Sequence, residues 1–289
     1  MPQSIPTPIL SGAGGLKKFV LAAPDGARAE IYLQGSHVTS WIPADGVEQL
    51  FLSRTAHFAP GDAIRGGVPV CWPQFSGEGP LQPHGFARNV LWQLTGVQAN
   101  SNRSATATLR LTDSAATRAL WPHPFASQIA VTVGGNRLHI AFSVTNTGDS
   151  DFTFSGALHT YLRLDDVHNA TVEGFAGLPY KNTFTDKQAA PQVERLLHFG
   201  PEGAGRVCYG AQEAVVREGS RAITLTNENY PDIVLWNPGV ERAARIPDLE
   251  PDGYRHMLCI EAGVVGTPVR LAPAASWRGG QNIVLTSAG

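Results

Sequence analysis

The sequence predicts an all-β protein, a large antiparallel β-sandwich with few short helices. Three observations carry that prediction. Well over ten short segments read as strands, with turns between them. One pair of segments alternates with period two on both sides of a Gly-Gly-Asn turn, which is a β-hairpin signal. Only one stretch has both a helical start and a helical stop. The 289 residues are 43% hydrophobic and 16% charged, enough apolar mass for a sizeable core. No linker, low-complexity tract or repeat interrupts the chain, so residues 1–289 are expected to form one domain.

Residues 1–15 read as an irregular lead-in. Ala27 to Leu33 and His37 to Ile42 are strands separated by Gly35, and Glu48 to Ser53 is a short apolar strand bounded by turns. Asn89 to Val97 and Ser104 to Thr112 follow as strands. Asp113 to Leu120 is the expected helix, with Asp113 or Ser114 as N-cap and a stop at Trp121-Pro122. The hairpin comprises Gln128 to Val133 and Arg137 to Thr145; Leu138, Ile140, Phe142 and Val144 should point into the core. Asp151 to Leu162 is the next strand, with Leu158 inward, and Thr171 to Phe175 and Arg206 to Tyr209 continue the pattern. Glu213 to Arg217 and Arg221 to Thr226 form a second hairpin over Glu218-Gly219-Ser220. Ile233 to Trp236, Met257 to Glu261, Thr267 to Leu271 and Gln281 to Leu285 complete the strands.

Between Ala63 and Trp92 lies a long Gly- and Pro-rich stretch that can be neither regular helix nor central strand. Val68, Val70, Trp72, Phe75 and Phe86 give it too much apolar surface for disorder, so it reads as the ordered wall of a binding site. The net charge of −2 excludes a general nucleic-acid binder but not a small anionic ligand, for which two arginines suffice. Cys71, Cys208 and Cys259 are odd in number and lack a C-x-x-C spacing, which fits free thiols in a reducing, cytoplasmic setting. The N-terminus lacks a basic segment followed by an apolar run, so no secretory signal is expected, and no apolar run is long enough to span a bilayer.

Five residues stand out chemically. His84 lies four residues before Arg88 in a loop whose glycines allow close ligand approach. Arg65 precedes Gly66-Gly67; it can bind an oxyanion together with backbone N–H groups, or pair with a loop carboxylate such as Asp62 or Glu78. His159, near a strand end, is a rigid acid or base or else a satisfied histidine on a sheet surface, and spacing alone favours the second. Glu261 ends an apolar strand, where a desolvated carboxylate must be paired or used, unless the strand end is solvated. Trp236 can stack on a sugar or fill the core, and core is the default. The histidines show no metal-site spacing, and there is no P-loop, nucleophile elbow or dinucleotide fingerprint.

The run IRGGVPVCWPQF from Ile64 to Phe75, with HGFAR (His84 to Arg88), LHTY (Leu158 to Tyr161), WNP (Trp236 to Pro238) and CIEAG (Cys259 to Gly263), resembles the glucose-6-phosphate 1-epimerases. These are the hexose-6-phosphate mutarotases of the aldose 1-epimerase superfamily. The resemblance implies a galactose mutarotase-like sandwich and an isomerase that interconverts sugar anomers with no cofactor or metal. Its partner would be a small-molecule sugar phosphate, with no nucleic acid or membrane involved, and the protein would act as a monomer. By the same resemblance His159 and Glu261 are the catalytic acid and base, and His84 is the second active-site histidine. Arg65 and Arg88 hold the phosphate, and Gln74, Trp236 and Asp248 complete the substrate-binding set. One departure matters: the family often has an aspartate where this chain has Gly205, with Asp248 as a candidate substitute. An aldose 1-epimerase of unphosphorylated sugars and a non-catalytic sugar-binding sandwich are the competing readings.

Overall fold

The hairpin is the spine of the larger sheet. Phe125–Gly134 pairs with Arg137–Asn146 around Gly135-Asn136, and Gly135 supplies the positive φ of 57° that a two-residue turn requires. Leu138, Ile140, Phe142 and Val144 are all buried, as their alternation predicts. The computed structural model describes residues 3–287 apart from Asp45 and Ala190; among them the strand ladders are antiparallel, and Trp72 and Gly85 add a parallel bridge. Three sheets result, of ten, eight and four strands. The four-stranded sheet runs from Leu10–Ser11 to His37–Ile42. Phe19 from that sheet, Phe142 from the ten-stranded sheet and Ile260 from the eight-stranded sheet belong to one continuous apolar core.

The eight-stranded sheet positions the site. Its centre is Met257–Leu271, flanked by Asp232–Asn237 and Phe152–Leu158, with Tyr161–Arg163 alongside its first half. Side chains alternate across a strand. Leu258, Ile260 and Ala262 therefore enter the main core, while Met257, Cys259 and Glu261 face the other way. On that second face Met257 and Cys259 pack with Tyr161 and Phe51, and Val207 and Val234 pack with Cys71 and Phe75. Glu261, opposite Val234 in the ladder, stands between these two small clusters.

The structure departs from expectation in several places. Glu48 to Ser53 forms only isolated bridges, Leu50 to Leu162 and Leu52 to Gly66. The Glu48 carboxylate takes the Trp41 and Leu50 N–H groups that a ladder would otherwise use. The helix is Ala115–Leu120, because Ser114 and Thr117 cap it reciprocally, whereas the Asp113 carboxylate turns back to accept from the Phe125 N–H. Met257 to Glu261 and Thr267 to Leu271 are one strand; where its register shifts, Asp232 Oδ2 accepts from Val265 and Gly266. The lead-in contains Gln3–Ser4 and Leu10–Ser11, its first two residues lying outside the described ones. Lys17–Ala22 and the short helix Gly239–Ala243 are additional elements. Among the described residues no helix is long and apolar enough to cross a membrane. All three cysteines are free and buried.

Candidate active site

The predicted long strand from Asp151 stops at Leu158, and the break carries His159 into the site. The His159 N–H donates to Pro69 O and the Tyr161 N–H to Gly67 O, so the Arg-Gly-Gly loop sets the backbone on both sides of the histidine. Thr160 points the opposite way. Its hydroxyl donates to Gln281 Oε1 at 2.5 Å, and Gln281 Nε2 donates to Ile260 O. A buried polar network of this kind, fully satisfied, fixes one backbone geometry.

His159 Nε2 lies 3.3 Å from Glu261 Oε1, and both side chains are almost wholly buried. Tyr161 stacks on the His159 ring, 4.7 Å between centroids and 8° from parallel. His84 closes the other side, with ring centroids 5.5 Å apart. Its backbone is left-handed at φ 70°, a costly conformation for a histidine that the loop must hold in place. The Ser76 N–H donates to His84 Nδ1 at 3.3 Å. The neutral His84 imidazole thus carries its proton on Nε2 and offers a donor to a ligand.

Burial dominates the electrostatics. It pushes Glu261 well above its ordinary carboxyl value, with the Arg88 charge opposing the shift. It pushes His159 well below the ordinary imidazole value, helped by His84, Arg88 and Arg65. His84 is lowered to about 3 by burial and by Arg88 and Arg65. The Glu261–His159 contact thus holds one proton between two groups that each resist carrying charge.

The sequence-named residues divide into two groups. His84, His159, Glu261, Arg65, Asp248 and Trp236 come together with Tyr161. Arg65 donates through Nε and Nη2 to Asp248 Oδ1, at 3.2 and 3.1 Å, and through Nη1 to the Tyr161 hydroxyl at 3.1 Å. The carboxylate partner of Arg65 is therefore Asp248, neither Asp62 nor Glu78. This ion pair orients the guanidinium without using all of its N–H groups. Arg88 donates to Pro83 O at 3.0 Å, and its buried Nε has no partner. The Trp236 ring is 6.3 Å from His159 and 6.4 Å from Tyr161, on the site face of the sheet rather than in the main core. Gln74 is different: its amide donates to Ser76 O and Leu81 O and accepts from the Leu81 N–H. It braces the loop that carries His84.

Tyr161 and Cys259 complete the site and were not singled out by sequence. Tyr161 follows His159 by two residues and Cys259 precedes Glu261 by two. The period of two along a strand is the signal that could have found them.

Gly205 explains its own departure from the family pattern. It pairs with Trp236, which pairs with Cys259, which pairs with Tyr161, so this row of residues lies on the site face. A Cβ at Gly205 would lie 2.2 Å from Thr183 Oγ1 and 2.7 Å from the Phe184 ring. The Phe184 ring in turn carries the Arg242 guanidinium 3.6 Å from its centroid. An aromatic ring and a cation occupy the space above Gly205, and Asp248 is committed to Arg65 on the opposite side of the row.

A depression of about 760 Å³ lies elsewhere, at Pro43, Asn136, Arg221 and Thr286. Its Arg221 guanidinium is already bonded to Glu218, Gln49 and Arg163 O. It brings no acid and base together, unlike the face around Glu261.

The fold is that of a galactose mutarotase-like β-sandwich, and one of its faces carries a buried histidine–carboxylate pair. Residues 17–284 match the aldose 1-epimerase family, and the chain belongs to it. It is 34% identical over 288 residues to a Cenchrus ciliaris protein provisionally named glucose-6-phosphate 1-epimerase, covering 95% of this chain and 87% of that one. An Escherichia coli K12 protein of the same provisional name is 33% identical over 239 residues, 81% of this chain and 79% of that one. A crystal structure of a Salmonella typhimurium protein, provisionally a mutarotase, superposes with a TM-score of 0.86 at 28% identity and covers 97% of both chains.

Proposed function

We propose that the protein interconverts the α and β anomers of a hexose 6-phosphate, with glucose 6-phosphate the expected substrate. The observation that carries this reading is the buried His159–Glu261 contact at 3.3 Å beside the Arg65 and Arg88 guanidiniums. The relatives' provisional names support the choice of a phosphorylated sugar.

Anomerisation passes through the open-chain aldehyde. One group removes the proton of the C1 hydroxyl while another protonates the ring oxygen; rotation about C1–C2 and reclosure then give the other anomer. The pair needs one proton in total. With Glu261 as carboxylate and His159 as imidazolium, ring opening moves one proton to Glu261 and another from His159 to the sugar. The pair ends as carboxylic acid and neutral imidazole, the form that burial favours. Reclosure runs the same transfers backwards, so no proton is exchanged with solvent. The His84 Nε2–H is the donor that positions the ring oxygen, and both groups are preset on sheet and loop.

A pH dependence follows. Activity falls at high pH when the pair loses its only proton, and at low pH when it gains a second. Because Glu261 is raised and His159 lowered, both limbs move outward from the ordinary values. A plot of kcat/KM against pH is expected to show a plateau across neutrality, broader than unperturbed groups would give. A narrow optimum between the ordinary glutamate and histidine values would contradict it.

The phosphate is remote from C1, so Arg88 should act on binding. Arg88→Ala is expected to raise KM for glucose 6-phosphate about 10- to 100-fold, the loss of one charged hydrogen bond, and to leave KM for glucose nearly unchanged. Equal effects on both sugars would remove the phosphate role. The function itself is tested by magnetisation-transfer NMR of anomer exchange, with glucose as the control sugar. Acceleration of neither sugar would overturn the assignment, and equal acceleration of both would make the protein a general aldose epimerase.

A further inference from the structure

The mechanism above leaves one buried nucleophilic group unused. Cys259 lies two residues from Glu261 on the same face of the strand, and its thiol is wholly buried. One ligand atom from each of His159, Cys259 and Glu261 falls within a span of 4.8 Å. Glu261 is only 1% exposed, and its Oε2 is buried with no hydrogen-bond partner, so the carboxylate keeps acceptor capacity beyond the His159 contact.

We propose that His159, Cys259 and Glu261 form a binding site for a thiophilic divalent cation, with Zn²⁺ the type case, and that the bound cation blocks the acid–base pair. The donor set, one imidazole nitrogen, one thiolate and one carboxylate, is a zinc set, and it leaves a fourth position facing the sugar. Two ligands each ~2.0 Å from a tetrahedral centre lie ~3.3 Å apart. His159 Nε2 and Glu261 Oε1 already stand at 3.3 Å. Only the thiol has to approach. The thiolate and the carboxylate together neutralise a divalent cation, and the nearby Arg65 charge is already met by Asp248.

The exchange balances in protons. A cation displaces one proton from the Cys259 thiol and the one proton held by the His159–Glu261 pair. Two protons leave, three ligand bonds form, and no electron moves.

The test uses the intact chain with Co²⁺ and Zn²⁺ as probes. Co²⁺ in excess is expected to produce a sulfur-to-cobalt charge-transfer band in the near ultraviolet and the visible bands of a tetrahedral site, both erased by stoichiometric Zn²⁺. Cys259→Ser should remove the charge-transfer band, while Cys71→Ser and Cys208→Ser retain it. Absence of the band in the unaltered protein overturns the proposal without any variant, as does its survival in Cys259→Ser. These readouts need no turnover, so they stand or fall separately from the mutarotase reading. Where anomer exchange is observed, Zn²⁺ should suppress it competitively with the sugar phosphate, a chelator should restore it, and Cys259→Ser should weaken the inhibition at least tenfold. Inhibition of equal strength in that variant would place the cation elsewhere.

Discussion

Glu261→Gln is expected to lower turnover by ~10²–10⁴-fold, the usual contribution of one positioned acid or base, while sugar-phosphate binding changes little. The same variant should melt at a higher temperature. The carboxyl is raised above its ordinary value of 4.5 by burial. A raised folded-state value means that the unfolded chain releases the proton first. Stability is therefore full below the ordinary value and declines as pH rises toward the folded one. Glutamine reproduces the shape and hydrogen bonding of the protonated acid without that decline. The gain in melting temperature should accordingly be larger at about pH 8 than at about pH 5. His159 adds the mirror-image term: its lowered value costs stability as pH falls below the ordinary 6.5. Anomer exchange by NMR and melting curves at the two pH values check the claim. Near-normal turnover would remove Glu261 as a proton-transfer group, and an unchanged pH dependence of melting would remove the account of its burial.

Gly67→Ala is expected to be the most damaging small substitution in the binding loop. Gly67 has φ 62°, and a Cβ there would sit 2.2 Å from Val38 O and 2.9 Å from His37 Nε2. The first obstacle is backbone in a sheet and cannot swing away. Left-handed strain of ~1–2 kcal/mol adds to overpacking of ~1–3 kcal/mol. A loss of about 3 kcal/mol or more in denaturant unfolding is the expected outcome. The loss should reach the chemistry as well, because Gly67 O accepts the Tyr161 N–H and so helps hold the ring stacked on His159. An alanine variant with unaltered stability would mean that the loop can relax around a side chain.

The sequence was legible wherever one face of a strand is buried. The hairpin of Arg137–Asn146 and the second hairpin over Gly219 show period two because one face packs on the core and the other is more open, whereas Met257 to Glu261, buried on both faces, was legible only as a continuous apolar run. It was less legible where side chains replace ladder bonds. Glu48 satisfies the backbone around Leu50, and Asp232 bridges the irregular part of Met257–Leu271; neither contact leaves a periodic trace. The site was readable through motifs, but its wiring was not. That Arg65 pairs with Asp248, 183 residues away, and that Gln74 braces its own loop are facts of tertiary placement. The meaning of Gly205 likewise needed Phe184, whose position above the sheet depends on a turn with no pattern of its own.

The two faces of the central strand have a further consequence. Glu261 is anchored by neighbours, Ile260 and Ala262, that belong to the deepest part of the core, whereas the groups expected to touch the far parts of a sugar come from a loop and from chain segments at the rim. The proposed base is thus anchored more deeply than the groups proposed to hold the far parts of the sugar. Exchanging the Phe184 turn is expected to alter which sugar is accepted more than it alters the proton chemistry, because that turn supplies no proton-transfer group. The molecule can be viewed as a fixed workbench with interchangeable clamps, and a new substrate preference would be sought first at the rim.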